Sequence, residues 1–204
     1  MLNYSVKVGN VEEEVISPLS VGQEIGTNPF PGLRPFTIDE AHLFFGREGQ
    51  VDEILAKLHQ HHCVTVMGYS GSGKSSLMYC GVVPVLMGGL LTTTSSSWQV
   101  ISSRPGSAPI ENLANALIAH LLDRGRILAA DAHIHRAILL SILRSGTNGL
   151  VEVARYLQSQ QGENIFLLVD QFEELFRYRD PADDQSVNES TAYVNMLLAA
   201  VHQR

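Results

Sequence analysis

The sequence predicts an α/β fold, a three-layer arrangement in which a parallel sheet lies between two layers of helices. Residues 63–67 (CVTVM) form a short apolar run that a glycine-rich turn and a helical pattern follow directly. Residues 165–169 (IFLLV) form an unbroken apolar run that ends at Asp170. Such a run is typical of a central parallel strand, because helices cover both of its faces. Between the two runs, apolar residues recur at helical spacing in several segments.

The other elements follow from periodicity and from breaks at glycine and proline. Thr37 and Glu40 have the spacing of a capping box and predict a short helix that ends at Phe44. Gly81 and Pro84 are expected to weaken the end of the helix that follows the glycine-rich turn. Further helices are predicted at residues 51–62, 75–86, 110–122, 127–143, 150–160 and 193–201, a strand at residues 98–102, and a polar linker at residues 180–189.

Composition divides the chain into two parts. Residues 1–27 are predicted to be an N-terminal appendage or linker, and residues 28–204 a partial α/β domain. The domain begins with a proline-rich strap at residues 28–36 (NPFPGLRPF), which fits neither a helix nor a central strand. Because the two phenylalanines of the strap need a surface to pack on, the strap is expected to lie over the domain.

Bulk properties exclude several classes of protein. A net charge of −7 argues against a surface devoted to nucleic acid, and no uncharged apolar run has the length of a membrane span. Cys63 and Cys80 lack metal-ligand spacing and are predicted to be reduced core residues, so the chain is expected to be cytoplasmic. A metal site at the three histidines of residues 59–62 is a weaker alternative to their placement at a helix C-terminus.

The glycine-rich turn matches G-x-x-x-x-G-K-[ST], the P-loop pattern. Its glycines allow close approach to a ligand, and its N–H groups and the following helix N-terminus face phosphate oxygens. Lys74 is predicted to reach the β- and γ-phosphates, and the Ser75 hydroxyl to bind Mg²⁺. The predicted nucleotide-binding residues are Gly68, Tyr69, Ser70, Gly71, Ser72, Gly73, Lys74, Ser75 and Ser76.

Acidic residues at the end of the second apolar run predict the other half of the site. Asp170 follows the run, where parallel sheets place ligand contacts, and is predicted to share Mg²⁺ with Ser75. Glu173 is the first choice for orienting an attacking water, and Glu174 is the alternative. Together with Lys74 these two glutamates form the predicted catalytic set.

Other nucleotide chemistries fit less well. No Asn-Lys pair is present to read guanine, and nothing after Asp170 resembles the arginine-bearing lid of a small-molecule kinase. ATP is therefore favoured by elimination. Two hypotheses stay open. The chain is either an ATPase module or an interaction module that holds a nucleotide for structural reasons or has lost nucleotide binding.

Five motifs occur together in one known family. They are NPFPGLRPF at residues 28–36, FGRE at residues 45–48, GYSGSGKS at residues 68–75, the segment at residues 98–106 that ends in RPG, and DQFEELF at residues 170–176. In this order they resemble the novel STAND NTPases, which are signal-transduction ATPases related to AAA+ proteins. The resemblance covers residues 28–178. It implies a switch in which ADP holds a closed form and exchange for ATP allows homo-oligomerisation.

The resemblance also implies features that spacing does not show. The strap and Phe45, Gly46 and Arg47 are expected near the adenine, and Arg104 near the phosphates. Family members continue with further strands, a helical lid and a sensor or repeat region, so this chain is expected to be a fragment of a longer protein. In the family sheet order, a later strand lies between the strand before the P-loop and the strand before Asp170. The sheet of this chain is therefore expected to be incomplete.

Overall fold

Two parallel strands, β1 (Trp98–Ser103) and β2 (Asn164–Val169), form a small sheet. In their register Trp98 lies opposite Asn164, and Ser103 lies opposite Val169. Parallel neighbours need a long crossover connection, and here three α-helices lie between the two strands in the chain. The mixture of helices with a parallel sheet agrees with the predicted α/β class.

The computed structural model describes residues 31–32, 34–88, 98–159, 163–178 and 184–202. The residues from Gly32 to Arg204 belong to one compact unit, and the predictions for residues 1–27 lie outside the described residues. In chain order the elements are a 3-10 helix (Ile38–Leu43), α1 (Glu48–His61), α2 (Lys74–Ser76, Leu77–Val82 and Val83–Met87 in succession), β1, α3 (Pro109–Asp123), a 3-10 turn (Ala129–Asp131), α4 (Ala132–Leu143), α5 (Gly149–Ser159), β2, α6 (Glu174–Arg177) and α7 (Asp184–His202).

The last helix is longer than its apolar pattern indicates. The prediction of a polar linker up to residue 189 is wrong, because α7 begins at Asp184. Polar residues are tolerated on the solvent side of a helix whose other side is buried, and Tyr193 and Met196 are almost fully buried. Glu189 adds a tertiary contact, since its carboxylate accepts a hydrogen bond from the backbone N–H of Ile110 at 3.3 Å.

The apolar segment at residues 63–67 is not a strand, so this prediction is wrong for the part of the chain that the structure describes. α1 ends when His62 adopts a left-handed conformation with φ 59°, and the segment follows. Val64 and Val66 pack against buried residues of α1 and α2, but no described strand pairs with the segment. A β-strand requires backbone hydrogen bonds to an adjacent strand. An apolar pattern in one segment does not show whether such a strand is present. Cys63 is exposed, contrary to its predicted core position, and Cys80 is buried.

α2 changes its winding rather than ending early. It starts as an α-helix at Lys74–Ser76, widens to a π-helix over Leu77–Val82, and returns to an α-helix at Val83–Met87. The π stretch ends at Val82, two residues before Pro84, which cannot donate a helical hydrogen bond. At Gly81 a Cβ atom would lie 2.5 Å from Cγ2 of Val51. Glycine at this position therefore lets α1 and α2 approach each other closely.

The buried apolar residues form two clusters. Side chains from α3, α4, α5 and α7 build the first cluster, together with Ile101 of β1 and Leu175 of α6. The second cluster consists of residues from α1 and α2: Val51, Ile54, Leu55, Leu77, Val82 and Leu86. Alternate residues of the sheet contact different clusters, as expected for side chains that point to opposite faces. Ile165 and Leu167 pack on the first cluster, and Phe166 packs on the second.

Candidate nucleotide site

The glycine-rich loop at residues 68–75 has the backbone that its motif predicts. Gly71 and Gly73 have φ angles of 76° and 82°, which side chains other than glycine rarely adopt. A Cβ atom on Gly68 would lie 3.0 Å from Oγ of Ser72, across the inside of the loop. Residues with larger side chains at these positions would therefore strain the loop.

Lys74 folds back over this loop. Its Nζ donates hydrogen bonds to the carbonyl oxygens of Gly68 at 2.8 Å and Tyr69 at 3.0 Å. Lys74 is also the first residue of α2, so its ammonium group and the helix N-terminus lie together at the loop. This arrangement places positive charge where an anion would contact the loop.

Ser75 and Asp170 meet although they are far apart in the sequence. Asp170 directly follows β2, and its backbone N–H continues the ladder by donating to the carbonyl oxygen of Ser103 at 3.0 Å. The Ser75 hydroxyl donates to Oδ1 of Asp170 at 2.9 Å. The carboxyl end of the sheet and the start of α2 therefore bring the two predicted metal ligands into contact.

Asp170 has two further partners. Arg104, next after β1, donates from Nη2 and Nε to Oδ2 of Asp170 at 2.9 and 3.2 Å. The backbone N–H of Gln171 donates to Oδ1 at 3.1 Å, and Gln171 has an unusual positive φ of 56°. Positive φ at a non-glycine residue persists only where the surroundings hold it, often at functional sites. The sequence alone gave no sign of this turn.

The two glutamates of the predicted catalytic set differ in their contacts. Oε2 of Glu174 accepts a hydrogen bond from the backbone N–H of Gly106 at 3.0 Å, which ties the start of α6 to the loop after β1. Glu173 is exposed, and its carboxylate makes no hydrogen bond or ion pair within the described residues. Glu174 is therefore held by a structural contact, whereas Glu173 is available to solvent.

The described part of the strap contacts α2. The backbone N–H of Phe36 donates to Oγ of Ser76 at 3.1 Å, and the Cys80 thiol donates to the carbonyl oxygen of Thr37 at 3.0 Å. The hydroxyl of Ser76, a predicted nucleotide-binding residue, is thus used by the strap. Phe36 also packs edge-to-face on Phe44, with ring centroids 6.2 Å apart.

An ion pair fixes the start of the 3-10 helix that follows the strap. Glu40 accepts hydrogen bonds from Arg34 at 2.6 and 2.7 Å and from the backbone N–H of Thr37 at 2.9 Å. The Arg34 guanidinium, with a smaller effect from Thr37, lowers the pKa of Glu40 to about 2. The predicted capping box of Thr37 and Glu40 is therefore present.

The segment at residues 45–47 presents one large exposed side chain. Phe45 is 76% exposed, and Gly46 has a φ of 82°. Arg47 donates to Oε1 of Gln50 at 2.9 Å, within the first turn of α1. These contacts keep the segment close to α1, and the expected role of Phe45, Gly46 and Arg47 at an adenine stays a prediction.

The residues at the loop fit a magnesium nucleotide. Mg²⁺ prefers oxygen ligands and usually takes one or two protein oxygens together with substrate phosphates. Ser75 and Asp170 offer a hydroxyl oxygen and a carboxylate oxygen that lie 2.9 Å apart. The backbone N–H groups of the glycine-rich loop and the ammonium group of Lys74 suit phosphate groups. Held there by Ser75 and Asp170, a magnesium ion would neutralise part of the negative charge of the phosphates.

The comparisons with known proteins identify the family. The family model named Novel STAND NTPase 1 matches residues 29–204, which is most of the chain. The chain belongs to this family. Membership indicates that this STAND NTPase is a nucleotide-binding signalling module. The searches of curated proteins and of solved structures gave no match. Within the described part of this STAND NTPase, no helix is both long enough and apolar enough to cross a membrane.

Proposed function

We propose that this domain binds ATP and ADP together with Mg²⁺ and hydrolyses ATP slowly, so that the bound nucleotide acts as a signalling switch. The observation that carries the proposal is the 2.9 Å contact between Ser75 and Asp170 beside the glycine-rich loop. Two oxygen ligands from distant parts of the sequence meet where Lys74 and a helix N-terminus attract phosphate. A glycine- and serine-rich loop without a function would not require a carboxylate such as Asp170 beside it.

Each residue has a separate role in the proposal. The backbone of residues 68–75 binds the phosphates, and Lys74 turns from the carbonyl groups of the loop towards the β- and γ-phosphates. Ser75 and Asp170 hold Mg²⁺. Glu173 orients the attacking water, because its carboxylate, unlike that of Glu174, has no partner among the residues that the structure describes. Glu174 holds the loop after β1 through Gly106.

A second candidate is a module that binds nucleotide without hydrolysing it. The exposure of Glu173 favours this candidate, because a carboxylate without partners in the described structure is not held in one orientation. Catalysis by a general base needs the base within hydrogen-bond reach of the water. The two candidates share the binding site and differ only in turnover.

Nucleotide binding is tested by titrating the full chain with MgATP, MgADP and MgGTP and recording affinity by calorimetry. The wild type should bind MgATP and MgADP more tightly than MgGTP. Lys74→Ala should lose most of the affinity, and Lys57→Ala, which removes an exposed lysine paired with Glu53 on α1, should not. Equal affinity in the Lys74→Ala protein would remove the loop from the proposal.

Turnover is tested with two isosteric variants. Glu173→Gln should keep nucleotide affinity and lower the rate of phosphate release by about 10²-fold, the lower end of the usual contribution of a general base. Glu174→Gln should lower thermal stability more than turnover, since it weakens the bond to Gly106. The opposite pattern would assign the water to Glu174, and no turnover in the wild type would favour the second candidate.

The proposal includes a larger parent protein. The two-stranded sheet would form part of the three-layer P-loop arrangement, and a further strand would pair with residues 63–67. Val64 and Val66 already pack on the same cluster as Phe166 of β2. A cytoplasmic parent with a C-terminal sensor or repeat region, and homo-oligomers on activation, complete the proposal.

Extension of the chain by about one hundred residues, a domain-scale addition, should raise its melting temperature. Equal cooperative melting would contradict the extra strand.

A further inference from the structure

The carboxylate of Asp170 has its acceptor positions in use. Oδ1 accepts hydrogen bonds from Ser75 and from the backbone of Gln171, and Oδ2 accepts two from Arg104. An ionised carboxylate has about four lone-pair positions for such bonds. A cation that binds to Asp170 must therefore displace one of these donors.

The three donor residues differ in how easily they can leave. The Gln171 donor is a backbone group in the turn that carries Asp170 itself, and the Ser75 hydroxyl is on a short, part-buried side chain at the start of α2 and cannot reach solvent far from Asp170. Arg104 has a long side chain that is 51% exposed, whereas the side chain of Asp170 is only 12% exposed. Arg104 is thus the one partner that can move into solvent without a change in the backbone.

The backbone after Arg104 is held in place. The N–H of Gly106 donates to Glu174 at 3.0 Å, and the side chain of Asn112 donates to the carbonyl oxygen of Pro105 at 2.8 Å. Gly106 itself packs tightly, because a Cβ atom there would lie 2.8 Å from Nδ2 of Asn112. Any rearrangement of Arg104 is therefore confined to its side chain.

We propose that Arg104 is a positioning residue that competes with Mg²⁺ for the carboxylate of Asp170. The inference rests on the proposed function. A guanidinium and a metal ion repel each other and use the same oxygen atoms, so one excludes the other. Arg104 holds Asp170 in contact with Ser75, with the charge of the carboxylate balanced. It also raises the Mg²⁺ concentration that the site needs to load nucleotide, and so restricts loading to conditions with sufficient magnesium.

The test follows the binding of ADP carrying a fluorescent methylanthraniloyl group while Mg²⁺ is titrated. Arg104→Gln should lower the half-saturating Mg²⁺ concentration about fivefold, the upper range for a partly exposed ion pair. Arg104→Lys, which keeps the charge without the paired N–H groups, should give an intermediate value. The control is Arg144→Gln. Arg144 is 49% exposed and pairs with Glu111 at 3.1 Å on another face, so its loss should leave the Mg²⁺ dependence unchanged.

Thermal melting separates a positioning role from a structural one. Arg104→Gln and Arg144→Gln should both still unfold cooperatively in the absence of Mg²⁺, with Arg104→Gln at the lower temperature, because Asp170 is only 12% exposed and loses its cation whereas Glu111 keeps Arg136. A Mg²⁺ requirement that is unchanged or higher in the folded Arg104→Gln and Arg104→Lys proteins overturns the inference. Failure of the wild type to bind the nucleotide at any Mg²⁺ concentration is a different result. It contradicts the proposed function, and the inference falls with it.

Discussion

The two apolar clusters surround different parts of the molecule. The first cluster encloses α3, which contacts α4, α7 and β1, and Leu113, Ala114 and Tyr193 in it are fully buried. The second cluster lies between α1 and α2, and Val51 and Leu55 there keep 8% and 7% of their surface exposed. The glycine-rich loop leads directly into α2 and so adjoins the cluster with fewer buried residues. Elements that respond to ligands come from the less stable parts of a protein.

Truncation of one leucine in each cluster gives the largest expected difference. Leu113→Ala should lower the free energy of unfolding by about 4 kcal/mol, and Leu55→Ala by about 2 kcal/mol, because a cavity costs more where the surroundings cannot collapse. Urea denaturation of both variants measures the difference. Equal losses would show that the two clusters are packed alike.

The close approach of α1 and α2 at Gly81 predicts a loss of stability on substitution by alanine, whereas the same substitution at Gly49 serves as a control without such a loss. Gly81→Ala should lower the free energy of unfolding by about 2 kcal/mol, since the new methyl group meets Val51. Gly49→Ala, in α1 with nothing within 4 Å of the added Cβ, should be neutral or raise stability by up to about 1 kcal/mol.

Val51→Ala combined with Gly81→Ala tests the cause of that loss. The double variant should be less destabilised than the sum of the two single variants, because the contact that causes the strain is gone. Strict additivity would mean that the helix itself, rather than its contact with α1, rejects alanine at residue 81.

A histidine beside the first cluster predicts the smallest effect. Burial, followed by the charge of Arg124, lowers the pKa of His120, although Asp123 and Glu163 act in the opposite direction and Arg126 in the same. The folded protein therefore binds fewer protons than the unfolded chain below pH 6.5. Stability from this group is complete above pH 6.5 and is lost as the pH falls.

The variant His120→Gln isolates this contribution, because glutamine can still donate to Oε1 of Gln99, the present partner of His120. The decrease in melting temperature between pH 7.5 and pH 5.5 should become smaller than in the wild type. His133→Gln, which removes an exposed histidine on α4, should leave that decrease unchanged. An identical pH dependence in all three proteins would contradict the assignment to His120.

The sequence predicts those features that one segment determines. The helices α3 and α5, both strands and the capping box of Thr37 and Glu40 follow from periodicity and local chemistry, and they are present. The proximity of Ser75 and Asp170 was predictable, because the P-loop pattern and the end of a parallel strand both place a ligand contact at this edge of the sheet.

Other features that depend on two distant segments were not predictable, because no motif links those segments as the P-loop pattern links Ser75 with Asp170. Pairing of residues 63–67 depends on a neighbouring strand, and the winding of α2 accompanies its approach to Val51. The binding of Arg104 to Asp170 joins the ends of two strands, and no local pattern signals it or the positive φ of Gln171. The contact of Glu174 with Gly106 likewise depends on the fold of two loops, and it distinguishes two adjacent glutamates that the sequence could not.

The proposed function depends on Ser75 and Asp170, which together would hold the metal of a bound nucleotide. Its most direct test is the affinity for ADP, measured by calorimetry with Mg²⁺ and with a metal chelator, in the wild type and in Asp170→Asn. Mg²⁺ should strengthen binding to the wild type, and Asp170→Asn should lose most of that gain while its affinity without metal is retained. An equal gain from Mg²⁺ in both proteins would contradict the claim.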